Sequence, residues 1–548
     1  MKRTLLFLLP LLIYSSSIFS QNELTETQKL AVTAKIWGFL KYYHPHVAEG
    51  NYNWDEQLFK IILKTKKANN TIELSQIYID LIDSLGEVEI CNKCKPKNKV
   101  QYFNKNLDLK WLNNEQLFTV KLSNKLNFIK ANRHQGEKKY VEYYSRNFKI
   151  ANFTNEIDYE NFDWQDENLR LLSLFRYWNM IEYFFPAKYQ TDKNWNSVLN
   201  QMIPKFLYPK SETDLHLAMS ELVVSLDDSH VKLNTDKTYL YFGHYYLPVQ
   251  FKLIENQALI TGIYNDSLAK INNLKMGDII VKVDDVEVES IFTEKEKYIS
   301  GSNMSRKRLN ASYYLLNGPQ DSLKVEVIRD DKLSIRYINR YLYQDFNYQK
   351  PINHEEYKIL KGDIGYVDIG VVEDFSKTMK ALINTKAIIF DLRKTSSSTP
   401  FKIANYITSQ KRDFYKAIVP DLDYPGRFIW TRTYQAGTNS KLKYNGKVIL
   451  LVDENCQSQR EFTAMCLQTG DNVTTIGSQT SGADGNVVVF NMVGGYRTQI
   501  TGAGIFYPDG TETQRNGVRI DIEVNSTIEG IKNGKDEILE RAIQFANE

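Results

Sequence analysis

The chain has 548 residues, 42% of them hydrophobic and 13% aromatic, with a formal net charge of +3. That apolar content is ample for packed cores and argues against disorder, and the length calls for several domains. The small net charge and the lack of a basic tract exclude nucleic acid as an expected partner.

The chain opens with Lys2 and Arg3, an apolar run from Leu5 to Ile13, and a serine-rich stretch ending at Ser20. Basic, apolar and then small residues make a secretory signal peptide over 1–20, with cleavage near Ser20. The apolar run is shorter than the ~20 residues that span a bilayer, and no later stretch is long enough either. The expectation is an exported protein, periplasmic or extracellular, without a stable membrane span.

Residues 21–235 read as a helical region with an internal duplication. Trp37-Gly-Phe-Leu-Lys-Tyr-Tyr-His-Pro45 matches Trp178-Asn-Met-Ile-Glu-Tyr-Phe-Phe-Pro186 at an offset of 141 residues. Asn53-Trp54 and Asn194-Trp195 keep that offset, as do Ser84-Leu85 and Ser225-Leu226. Leu171, Leu174, Trp178, Ile181 and Phe185 recur at helical spacing, so two similar helical units are expected near 24–90 and 165–230. The copies differ at one telling place. The second reads Ser225-Leu-Asp-Asp-Ser229-His230 where the first reads Ser84-Leu-Gly-Glu-Val88-Glu89, so the Ser-His pair belongs to one copy only. The stretch 95–160 carries no clear pattern.

Cys91 and Cys94 form a C-x-x-C. A short disulfide or two free thiols fit better than zinc, which needs two further ligands, and the histidines show no metal-ligand spacing. Neither a metal nor an organic cofactor is expected.

Residues 245–340 change to short β-type runs: Val249–Phe251, Ala258–Thr261, Ile279–Val283 and Leu323–Ile328. Between them lies Asn273-Leu-Lys-Met-Gly277-Asp278-Ile-Ile-Val-Lys-Val-Asp284, which resembles the core signature of a PDZ domain. The resemblance implies a groove that captures an extended peptide by adding a strand, with Leu274 and Gly277 as substrate-binding residues.

From 355 to 548, strands and helices alternate in an α/β layout. The strand Val448–Val452 leads through Asp453 to Glu454-Asn-Cys-Gln-Ser458-Gln-Arg-Glu461 and then a helix. A serine between a strand and a helix N-terminus suits an exposed nucleophile, because free N–H groups there stabilise an oxyanion. Ser458-x-x-Glu461 is equally a capping box, and spacing alone does not separate the two uses.

The segment resembles the active-site stretch of the tail-specific (C-terminal-processing) serine peptidases. Ser458, Glu461 and Leu467-Gln468 fall in register with it, followed by Ile476-Gly477. Phe390-Asp-Leu-Arg393 and Val518–Val524 resemble two further strand motifs of that family. The resemblance spans about 220–530 and implies a ClpP/crotonase-like catalytic domain. Three departures stand out. The lysine of the lysine-dyad branch is replaced in Thr480-Ser481-Gly482-Ala483, the motif threonine is Cys456, and a pair of glycines is Ser397-Ser398.

A hydroxyl needs a base, so a missing lysine calls for another. The resemblance to the tricorn-core branch implies His230 as base, Ser229 as its support and Glu512 as a second support, with Gln514 an alternative to Glu512. It implies oxyanion donors at the N–H of Gln459 and of Ser397 or Ser398. The expected function is an exported serine endopeptidase acting on peptides or unfolded protein, possibly near their C-termini. The alternatives are a binding protein of the same fold, as in the interphotoreceptor retinoid-binding proteins, and a scaffold that recruits partners.

Overall fold

The structure is a computed structural model and describes residues 24–145, 147, 149–346, 355–394, 400–438 and 443–548. The expected signal peptide therefore lies outside the described residues, as do Ser397 and Ser398.

The duplicated region folds as two sets of three helices. The first set is α1 (Glu26–Tyr43), α2 (Trp54–Lys66) and α3 (Thr71–Ser84). The second is α4 (Glu167–Phe184), α5 (Trp195–Leu207) and α6 (Glu212–Val224). Asn53 and Asn194 cap α2 and α5 at the same register, each through its side-chain oxygen. The tryptophans explain why their spacing is kept. Trp37 Nε1 donates to the carbonyl of Trp54 at 2.9 Å and Trp54 Nε1 returns a bond to Trp37 at 3.0 Å. Trp178 and Trp195 do the same at 2.9 and 3.1 Å. A buried indole N–H needs an acceptor, and each pair satisfies both of its donors within one repeat. The two copies pack on each other, α1 against α4 and α5, in one continuous core.

The stretch 95–160 supplies a helix, Val120–Ala131, and a two-stranded ribbon of Val141–Tyr143 with Ala151–Phe153. Cys91 and Cys94 are joined as a disulfide. Just beyond the second repeat, the short strand β1 (Lys232–Leu233) begins two residues after His230.

The next unit is an antiparallel sheet. Its strands are β2 (Val249–Ile254), β3 (Gln257–Ile263), β4 (Ile279–Val283), β5 (Ser322–Arg329) and β6 (Lys332–Asn339), in the order β6-β5-β4-β3-β2. Val249, Leu253, Ala258, Ile260, Ile280, Val325 and Val327 form its own core with the helix Val288–Lys295.

The C-terminal region is built on a sheet of β7 (Tyr357–Leu360), β8 (Ile364–Asp368), β9 (Ala387–Asp391), β11 (Lys447–Val452), β12 (Val473–Gly477) and β15 (Ile522–Glu523) in that order. All neighbours are parallel except β7. Near-continuous apolar runs such as Val448–Val452 mark strands covered on both faces, here by buried residues of two separate clusters. The intervening β10 (Arg412–Pro420) joins a second sheet. β13 (Val487–Asn491) and β14 (Arg497–Thr501) form a hairpin, and β14 takes β1 as its other neighbour. That last pairing carries a residue from the end of the helical region into the C-terminal region.

Candidate active site

Strand β11 lies between β9 and β12, and its exit leads in five residues to Ser458, the N-cap of α7 (Gln459–Leu467). Ser458 has φ 55° and ψ −116°, a conformation that costs a non-glycine residue about 1–3 kcal/mol. The surroundings hold it there. Its N–H donates to the carbonyl of Ala483 at 3.0 Å and to Glu461 Oε2 at 3.1 Å. Glu461 is fully buried and also accepts from Thr480 Oγ1 at 2.6 Å and from the N–H groups of Gly482 and Ala483 at 2.8 and 3.0 Å. Burial pushes its carboxyl upward, and these hydrogen bonds oppose that. Glu461 thus does more than cap a helix: it fixes the loop 480–483 to Ser458. Ala483 is itself buried, and its methyl side chain carries no base.

His230 is 4% exposed. Its Nδ1 lies 2.8 Å from Thr501 Oγ1. That hydroxyl donates to Asp228 Oδ1 at 2.9 Å, while Asp228 also accepts the N–H of Thr501 at 2.7 Å and that of His230 at 3.1 Å. Thr501 has one hydroxyl proton and gives it to Asp228, so Nδ1 of His230 must be the protonated nitrogen. The lone pair then sits on Nε2, which has no hydrogen-bond partner among the described residues. Burial lowers the pKa of His230, Asp228 opposes this, and Lys232 and Arg306 add to it. The tertiary cause of the arrangement is the β1–β14 pairing, which sets Gln499 opposite Lys232, and Gln499 Nε2 also donates to the carbonyl of His230 at 2.6 Å.

The other expected residues fall differently. Ser229 does not support the ring of His230. Its Oγ donates to the carbonyl of Ser481 at 2.8 Å and accepts the N–H of Ser302 at 2.8 Å, so it pins the backbone beside His230. Glu512 is a correction: its carboxylate is occupied elsewhere, accepting from Tyr189 and Gln190 at 2.6 Å each and from Lys105 at 3.1 Å. Gln514 comes nearer, with Nε2 3.5 Å from Asp228 Oδ1 and 3.4 Å from Ser302 Oγ. Leu274 is a second correction, since it is buried in the core of the sheet unit and presents nothing to a groove. Gly277 has φ 88° and faces Lys532, whose Cγ would lie 3.3 Å from an added Cβ. Gln459 is the first residue of α7 and follows Ser458 directly. Asp228 and Thr501 were missed. Asp228 had a signal, an acid two residues before a histidine peculiar to one repeat copy. Thr501 had none, being 271 residues away in sequence.

Ser458 stands at the meeting of two cavities. The first, about 940 Å³, is lined by His230, Ser458, Arg306, Tyr239, Tyr313 and Asn455 among others. The second, about 890 Å³, is lined by Ser458, Gln459, Asp484, Tyr415, Phe462 and Trp430 among others. Among the described residues no group of three or more His, Cys, Asp or Glu could hold a metal ion. No helix of the described residues is long and apolar enough to cross a membrane.

The model of peptidase family S41 matches residues 363–524. The chain carries a family S41 peptidase domain. It is a serine-type peptidase, and Ser458 lies inside the matched span while His230, Asp228 and the duplicated helices lie outside it. No curated protein matches the chain. Among solved structures, a point mutant of CPAF aligns with 12% identity and a TM-score of 0.56, covering 70% of this chain and 98% of that one. Mature CPAF complexed with lactacystin aligns with 12% identity and a TM-score of 0.52, covering 69% and 98%. The photosystem II D1 C-terminal processing protease aligns with 16% identity and a TM-score of 0.39, covering 67% and 98%. At these identities the CPAF structures show a shared fold, and it extends well beyond the S41 domain.

Proposed function

We propose that this S41 peptidase is an exported endopeptidase that cuts peptides or unfolded protein through a Ser-His site. Ser458 is the nucleophile. His230 takes its proton at Nε2, attack on the scissile carbonyl forms a tetrahedral oxyanion, and His230 then returns the proton to the leaving amine. Asp228 orients His230 through the hydroxyl of Thr501 and stabilises the imidazolium that forms. The N–H of Gln459 stabilises the oxyanion, with a second donor from Ser397 or Ser398. One observation carries the reading: Nδ1 of His230 is committed to Thr501, its Nε2 has no hydrogen-bond partner among the described residues, and His230 and Ser458 line the same cavity.

Residues 245–340 act in this reading as a PDZ-like unit that captures an extended, possibly C-terminal, substrate segment by strand addition. The C-terminal layout is ClpP/crotonase-like. Export rests on the opening of the sequence, and the Cys91–Cys94 disulfide fits an oxidising compartment.

A fluorophosphonate probe tests the proposal. The wild-type protein should be labelled, Ser458→Ala should not be, and His230→Ala should be labelled far more slowly. An unlabelled wild-type protein would return the chain to the ligand-carrying alternative of the same fold.

A further inference from the structure

Asp484 is 7% exposed, and neither of its carboxyl oxygens has a hydrogen-bond partner among the described residues. No ion pair with it is formed there either. The mechanism above does not use it. Yet it lines the cavity that contains Ser458 and Gln459. Its place is tied to the nucleophile: the preceding residue, Ala483, accepts the N–H of Ser458 through its carbonyl and donates its own N–H to Glu461. The approach to Asp484 is aromatic. Tyr415 and Tyr434 stack with ring centroids 4.6 Å apart, and Phe462 meets Tyr415 edge-on at 5.3 Å.

We propose that this cavity receives the substrate side chain adjoining the scissile bond, and that Asp484 selects lysine or arginine there. The inference rests on the peptidase reading and deepens it. A buried polar group without a partner is unfavourable, and a cation arriving with the substrate would supply the partner that Asp484 lacks among the described residues. The aromatic walls suit the aliphatic stem and accept a cation over their faces. Burial, and then the charge of Glu461, push the Asp484 carboxyl well up. An arriving ammonium or guanidinium acts in the opposite direction and favours the carboxylate, with which it pairs. Lys149 and Arg432 line the same cavity but are exposed at its rim, where water screens their charge.

The test is digestion of a peptide library by the full chain, with cleaved bonds mapped by mass spectrometry. Wild-type enzyme should enrich lysine and arginine at one position adjoining the cut at least about tenfold. Asp484→Asn, which keeps the shape, and Asp484→Ala should each lose most of that enrichment while still unfolding cooperatively on heating. Cuts without a basic preference, or a preference retained in Asp484→Asn, would overturn the assignment and leave the peptidase reading standing. A wild-type protein that neither reacts with fluorophosphonate nor cuts the library would overturn both.

Discussion

Thr501 Oγ1 stands 2.8 Å from Nδ1 of His230, and the same hydroxyl is committed as donor to Asp228. One threonine thus fixes both the orientation and the tautomer of His230. Thr501→Val keeps the shape and removes the hydroxyl, so kcat/KM should fall by about 10²-fold or more. Thr501→Ser should recover most of the activity. Steady-state kinetics of the two variants decide it, and equal losses in both would point to packing instead of orientation.

The pH profile follows from the environment of His230. The base must be neutral to accept a proton. Burial disfavours its charged form and lowers its pKa, so the acidic limb of kcat/KM should lie below the usual histidine range near 6.5. Lys232 and Arg306 push in the same direction and Asp228 against it. Lys232→Ala should therefore move the limb to higher pH, and Asp228→Asn to lower pH. A limb that stays put in Lys232→Ala would show that this charge does not reach the base.

Ser458 supplies a stability prediction separate from chemistry. Both Ser458→Ala and Ser458→Gly should abolish hydrolysis. Only glycine relieves the positive φ, so Ser458→Gly should be the more stable of the two by about 1 kcal/mol. Thermal or urea unfolding of the pair measures the strain held at Ser458.

The repeat interface is just as specific. A Cβ on Gly38 of α1 would fall 1.8 Å from Oδ1 of Asn179 on α4, and Asn179 donates to the carbonyl of Ala34 at 2.9 Å. Gly38→Ala should destabilise the chain by about 1–3 kcal/mol through overpacking. Adding Asn179→Ala should recover part of that loss, and a double-mutant cycle by chemical denaturation reads the coupling.

Much of this protein was written in local pattern. The 141-residue offset of the tryptophans is visible in the chain because each pair satisfies its own indoles within one short repeat. The strand–turn–Ser458–helix passage and its Glu461 partner were likewise legible, since a helix cap involves residues three apart. Sequence also singled out His230, because only one repeat copy carries it. What surrounds His230 was not legible. The partner of its ring arrives through the pairing of β1 with β14, and the neighbours of Glu512 turned out to be Tyr189, Gln190 and Lys105. Leu274 looked like a ligand contact and proved to be core, because a motif names a residue without stating which way it faces. Helical register, caps and apolar runs depend on near neighbours in the chain and so are set by the sequence alone. The tautomer of His230, the strain at Ser458 and the burial of the Asp484 acid depend on contacts between segments far apart in the chain, which only the packing of the whole chain brings together.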